Sequence, residues 1–339
     1  MSAEKANKRN IEIIKSFGRM SEYAKENGVR AVIIAGDLFD RDRVKKSTVD
    51  QIFKAMENTP ETDYLYLPGN HDRAAWAFPD HELPHNLKQF KTSWTTFTYA
   101  DAAISGIQLC PENALILYEN VPHTEGLANI VVLHGQAGTA SGPDLINLNL
   151  LKDKGIDYLA LGHLHSYSQK PLGSEGVYCY SGCLEGRGFD ECGKKGFVLL
   201  TVDSGHVKSE FVPFCSRQLH RIEVDITGLE NNPEIAQRMI TASQDIPKND
   251  MAEFILVGSS SPYDNISESY LQKLMEDRFF FCRVKDESRM AINPEDYKND
   301  VSLKGEFIRL VLSFDVPDED KAAMIRAGIQ ALTGEEITL

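Results

Sequence analysis

Four apolar runs in this sequence end alike, each in a polar side chain able to bind a metal ion. "VIIAGD" ends in Asp37, "YLYLPGN" in Asn70, "IVVLH" in His134, and "YLALGHLH" in His163 and His165. Short runs that are apolar at every position, such as Ala31 to Ala35, are expected of parallel strands covered on both faces. In open α/β sheets, ligands sit outside the carboxyl ends of the strands, so this pattern brings five donors toward one crevice.

The donor types narrow the chemistry. A carboxylate, an amide oxygen and three imidazoles, with no thiolate, suit a borderline divalent ion such as Mn²⁺, Fe²⁺ or Zn²⁺ better than Ca²⁺ or a structural zinc. Asp37 has two oxygens and can bridge two ions, and two ions about 3.5–4 Å apart form a clamp for displacement at phosphorus. The glycines before Asp37, Asn70 and His163 are expected to let the backbone turn tightly where strands stop. Singly, a Gly-Asp is an ordinary turn and a buried histidine an ordinary packed residue; the four motifs together favour the metal reading. Alternation puts His163 and His165 on one face of an extended segment. His81, His85, His123, His206 and His220 lack such context and read as surface or packing residues.

Around these motifs the chain alternates helix and strand. Ile11, Ile14, Phe17, Met20 and Ala24 recur every three or four positions and predict an amphipathic helix over residues 8–27. A second helix is expected from an Ser47 N-cap to Met56, then a strand from Tyr64 to Leu67. Further strands are expected at "ISGIQLC", "ALILYE", "NIVVL" and "DYLAL", and, beyond His165, at "GVYCYSG", "GFVLLTV", "VKSEFVPF" and "LHRIEVDI". The expected fold is α/β, with two packed mixed β-sheets flanked by helices in an α/β/β/α arrangement. A small α+β domain is expected to follow over residues 217–300, and a helical segment split at Val316-Pro317 over residues 301–339. The first domain then spans residues 1–216.

The chain carries 36 Lys and Arg against 50 Asp and Glu, a formal net charge of −14, which excludes grip on nucleic acid by bulk electrostatics. Any such contact must be local or helped by metal ions or a partner. "RDRVKK", with Arg41, Arg43 and Lys45, is either a phosphate-binding loop or a solvated basic one. Trp76 and Phe78 read as loop anchors, with base stacking as the alternative. No apolar run approaches the roughly 18 residues of a membrane span, and the first residues are charged, so a cytoplasmic chain without a membrane partner is expected. The six cysteines show no C-x-x-C pair and are expected to be free thiols.

"GDLFD" (36–40), "GNHD" (69–72), a lone His134 after an apolar strand and "GHLH" (162–165), in that order, resemble the calcineurin-like metallophosphoesterase family. With "SGCLEGRGFDECGKKGF" and a capping unit, the chain is similar to the SbcD-type DNA repair exonuclease subunit. The resemblance implies that Asp37 bridges two metal ions, Mn²⁺ foremost, with Asn70, His134 and His163 on one and His165 on the other. It implies that His71 faces the scissile phosphate, oriented by Asp72. It further implies phosphodiester hydrolysis in DNA, residues 217–300 as a DNA-capping domain, and an SbcC-type ATPase as partner, with a homodimer as a further arrangement. The glycine-rich "CLEGRGFDECGKKGF" is expected to be a structural turn. The final helices carry Phe307, Leu310 and Val311, then Ala323, Ile325, Ile329 and Leu332, which either pack on their own domain or dock on the coiled coil of the ATPase.

The family begins with a strand ending in D-x-H, whose Asp and His complete the second metal site. No D-x-H precedes Asp37 here. The expectation is therefore that this first strand is missing from the sequence. One ion then keeps four ligands, while the other keeps only Asp37 and His165. The chain as written is expected to hold at most one ion tightly and to be weakly active or inactive. The other functions left open are a phosphoesterase for a small substrate and a non-catalytic scaffold for an ATPase.

Overall fold

The structure, a computed structural model, describes residues 1–39, 44–69, 82–260, 266–290 and 297–333. Asn70, His71, Asp72, Trp76, Phe78, His81, Arg41 and Arg43 lie outside the described residues. The chain divides into two compact units, Met1–Gln218 and Leu219–Leu339.

The first unit opens with helix α1 (Ala3–Glu26), strand β1 (Ala31–Ala35), helix α2 (Lys46–Glu57) and strand β2 (Asp63–Leu67). Strands β3 (Leu87–Gln89), β4 (Thr95–Thr98), β5 (Ala102–Gly106) and β6 (Ala128–His134) follow, then the short β7 (Gln136–Gly138) and β8 (Leu145–Asn147). It closes with β9 (Tyr158–Gly162), β10 (Ser168–Leu172), β11 (Gly176–Tyr180), β12 (Gly196–Asp203) and β13 (His206–Pro213). One sheet is parallel, in the order β1-β2-β3, with Ala35 level with Leu67. A second, larger sheet has the order β10-β11-β9-β6-β5-β4, with His134 at the end of β6 level with Gly162 at the end of β9, and β12-β13 and β7-β8 form two-stranded sheets.

The two sheets pack face to face because strands of each are apolar on both sides. Leu65 and Leu67 of β2 meet Ile104, Ile130 and Val132 of the second sheet between the layers. Tyr64 and Tyr66 of β2 point the other way, against Phe17 and Met20 of α1 and Ile52, Phe53 and Met56 of α2. The outer face of the second sheet buries Val131, Leu133, Leu159 and Leu161 under Leu117, Tyr118, Ile146 and Leu151. Its cover there comes from turns at residues 111–120 and the 3-10 helix Leu148–Leu150. β1 pairs with β2 on one side, and all five of its apolar residues stay half-buried.

Three expectations are corrected. "ALILYE" is not a strand: Leu117 N–H donates to the Asn113 carbonyl and Glu119 N–H to that of Ile116. The Asn113 side chain accepts from Cys110 N–H and starts these turns, exposing Leu115 and Ile116 while burying Leu117 and Tyr118. Ser47 does not cap α2; the helix starts at Lys46, after Lys45, with no side-chain cap. In α1 the periodic face is only partly apolar, because Ile11 is exposed while Arg9 and Ser16 are buried. Both of those side chains reach the buried carboxylate of Glu185, Arg9 Nη2 at 2.9 Å and Ser16 Oγ at 2.5 Å.

The second unit runs β14 (Leu219–Asp225), α3 (Asn232–Ala242), β15 (Met251–Val257), β16 (Ser259–Ser260), α4 (Glu268–Met275), β17 (Phe281–Asp286) and β18 (Arg289–Met290), then α5 (Leu303–Leu312) and α6 (Asp318–Thr333). β14, β15 and β17 form a parallel sheet, one face of which buries Val224, Phe254, Leu256 and Val284 against Ile235, Met239, Leu271 and Met275 of α3 and α4. α5 and α6 close on Tyr297, Ile308, Val311 and Ile325. All six cysteines carry free thiols. Among the described residues, no helix is long and apolar enough to cross a membrane.

Candidate metal centre

Asp37 lies two residues past the end of β1, His134 is the last residue of β6, and His163 follows β9 directly. One ligand atom from each of these three lies within 4.8 Å of those of the other two. The adjacency has a local cause. β6 and β9 are paired up to His134 and Gly162, and both strand ends meet β1 across the interface between the sheets.

Two glycines make that approach possible. A Cβ on Gly36, which has φ +93°, would lie 2.1 Å from His134 Nδ1. A Cβ on Gly162 would lie 1.6 Å from the Ala35 carbonyl oxygen. Gly162 therefore serves close approach, and the tight-turn role expected of it applies instead to Gly36.

The polar geometry fixes which nitrogen of His134 is free to face an ion. Nδ1 lies 2.8 Å from the Ala35 carbonyl oxygen, which can only accept, so Nδ1 carries the proton. Nε2 then presents its lone pair 3.3 Å from Asp37 Oδ2. Two acceptors facing each other at that distance call for a second ring proton or a cation between them. A buried imidazole fixed by a backbone carbonyl on its far nitrogen is the usual support of a metal ligand. The His163 ring stands nearly perpendicular to that of His134, with centroids 5.5 Å apart. Burial, and then the neighbouring His134, hold the His163 pKa below its ordinary value, so the ring is neutral and its lone pair available. His163 also has φ +106°, a conformation that costs a non-glycine residue about 1–3 kcal/mol and is typical of functional sites. The donor set, one carboxylate and two imidazoles, fits a divalent transition-metal ion.

His165 stands apart from this triad. Its ring is half-exposed, and Nδ1 lies 2.6 Å from Glu191 Oε1. Lys45 is exposed at the start of α2. Of the remaining histidines, His220 pairs with Asp250 at 2.9 Å in the second unit, and His123 Nδ1 lies 3.4 Å from the Gly155 carbonyl. What the sequence reading missed is Glu191, within the stretch assigned to a structural turn. A glutamate in a glycine-rich loop has no periodicity that would have flagged it.

Residues 9–167 match the family model described as calcineurin-like phosphoesterase. The chain is 26% identical over 309 residues to the uncharacterized metallophosphoesterase YhaO of Bacillus subtilis, covering 82% of this chain and 74% of that protein. It is 28% identical over 249 residues to the DNA double-strand break repair protein Mre11 of Methanopyrus kandleri, covering 62% of this chain and about half, 54%, of that one.

Proposed function

We propose, from the match of residues 9–167 to the calcineurin-like phosphoesterase model, that this chain hydrolyses phosphodiester bonds in DNA with the help of Mn²⁺. The observation that carries the reading is the meeting of Asp37, His134 and His163 at the strand ends. The likeness to an archaeal DNA double-strand break repair protein supports DNA as substrate.

In this reading Asp37, His134 and His163, with Asn70, hold the cation, and His165 serves a second, weaker position. A divalent ion bound there supplies Lewis acidity toward a phosphoryl oxygen and lowers the pKa of bound water. The protein supplies the rest. The Ala35 carbonyl keeps the His134 proton on Nδ1, and burial keeps His163 neutral. His71 is assigned to the leaving oxygen or the developing charge and Asp72 to orienting it, as in the acid-base pairing of a carboxylate with an imidazole. Arg41, Arg43 and Lys45 are assigned to the phosphate backbone, which an acidic chain must contact locally. Residues 217–300 are assigned to guiding DNA. The exposed Leu303 and Leu310 of α5 are assigned to an SbcC-type ATPase, with a homodimer as a further partner and the cytoplasm as location.

The test is digestion of linear duplex DNA with Mn²⁺, by the chain and by Asn70→Ala and His134→Ala variants that remain folded. Loss of cleavage in both is expected. Unchanged cleavage in either overturns the site, and cleavage of a nucleotide ester but not of DNA favours the small-substrate reading.

A further inference from the structure

Glu191 reaches His165 from the loop that joins β11 to β12. Its side chain is 8% exposed, whereas that of His165 is 42% exposed. The glutamate is thus the fixed partner, and the ring lacks enough packing to set its own orientation. Arg187 N–H donates to Glu191 Oε2 at 2.8 Å, and Arg187 Nη2 to Oε1 at 3.2 Å. The same loop holds the backbone of His165: the buried Lys195 Nζ donates to its carbonyl at 2.7 Å, and the Cys183 thiol lies 3.5 Å from that oxygen.

The protonation pattern follows from the partners. Both oxygens of Glu191 accept from Arg187, one from its N–H and one from Nη2, as a carboxylate does. Burial and the nearby Glu191 push the Cys183 thiol up to about 11, so it stays neutral. A carboxylate can only accept, so the nitrogen 2.6 Å from it must carry a proton. Arg187 Nη2, 3.4 Å from the same nitrogen, can only donate and cannot take that proton's place.

We infer that Glu191 is a positioning residue: with Arg187 it holds His165 by Nδ1–H, so that Nε2 is the nitrogen left to present a lone pair. A carboxylate behind an imidazole fixes tautomer and orientation in this way at metal sites. The task of the freed nitrogen, as a ligand of the weaker metal position, rests on the phosphodiesterase reading. The tautomer does not.

The experiment is long-range ¹H–¹⁵N correlation on the full chain labelled at histidine, at a pH where the ring is neutral, with His165 assigned through His165→Asn. The wild type is expected to show Nδ1–H. Glu191→Ala is expected to move the proton to Nε2, and Glu191→Gln, which keeps an acceptor, to retain the wild-type form. On titration with Zn²⁺, the concentration that half-shifts the His165 signal should rise by about 10–100-fold in Glu191→Ala. A wild-type ring protonated on Nε2 overturns the inference, as does a folded Glu191→Ala variant that keeps Nδ1–H. If Glu191→Ala does not fold, the wild-type tautomer and the Gln variant decide. A chain that shows the expected tautomer yet ignores DNA contradicts the proposed substrate and leaves Glu191 its role.

Discussion

His134 Nε2 faces Asp37 Oδ2 at 3.3 Å while Nδ1 of the same ring is held at 2.8 Å by the Ala35 carbonyl. The carbonyl belongs to the strand that delivers Asp37. One element thus supplies the carboxylate and sets the tautomer of the imidazole across from it, coupling the geometry of the site to the packing of β1 on β6.

Gly162 is the point at which this packing is tightest. Gly162→Ala places a methyl group against a backbone oxygen that no side-chain rotation can clear, so β1 and β9 must separate. Overpacking of this kind costs about 1–3 kcal/mol. Urea unfolding is expected to show that loss, together with weaker Mn²⁺ binding. A variant as stable as wild type, with unchanged affinity, contradicts the role of close approach.

The positive φ of His163 predicts a trade of stability against metal binding. His163→Gly removes the strain and His163→Ala keeps it, so among metal-free proteins the glycine variant is expected to be more stable by about 1 kcal/mol. Both should lose metal binding. Equal urea midpoints, or a less stable glycine variant, would show that the backbone there is unstrained.

Glu12 predicts acid sensitivity in the first unit. Arg217 Nε and Nη2 grip its carboxylate at 2.8 and 2.7 Å, and Arg9 Nη1 lies at 3.4 Å. Burial alone raises the Glu12 pKa, but the two guanidinium groups outweigh it and hold it below the ordinary value. A carboxyl depressed in the folded state contributes stability above its unfolded pKa and loses it as pH falls through the folded one. Glu12→Gln should therefore cost about 1.5–3 kcal/mol at neutral pH, and the gap to wild type should narrow below about pH 4. A gap that stays constant with pH would contradict this.

The strands that deliver the site were legible because their apolar runs are short and end in metal-binding residues; Ala31–Ala35 is a strand over its whole predicted length. "ALILYE" was misread because a short apolar run does not itself separate a strand from turns, and the local cue that decides the matter, the Asn113 side chain accepting from Cys110 N–H three residues before it, was outweighed by that run. Ser47 failed as a cap because helix α2 begins at Lys46, two residues earlier than a cap there requires, and Ser47 lies inside it. Glu185 and Glu191 were invisible for a common reason: each meets its partner across a long stretch of chain, and contact of that kind leaves no spacing to read. The corresponding signal in the sequence was only that acidic residues, Glu185, Asp190 and Glu191, sit in a glycine-rich loop.

The most direct test of the account is the amount of Mn²⁺ retained per chain after gel filtration, read by elemental analysis for the wild type and for His134→Asn. One ion per wild-type chain and close to none in the variant is the expected result, since Asp37, His134 and His163 share one position. Two tightly held ions in the wild type, none at all, or one kept by the variant would contradict it.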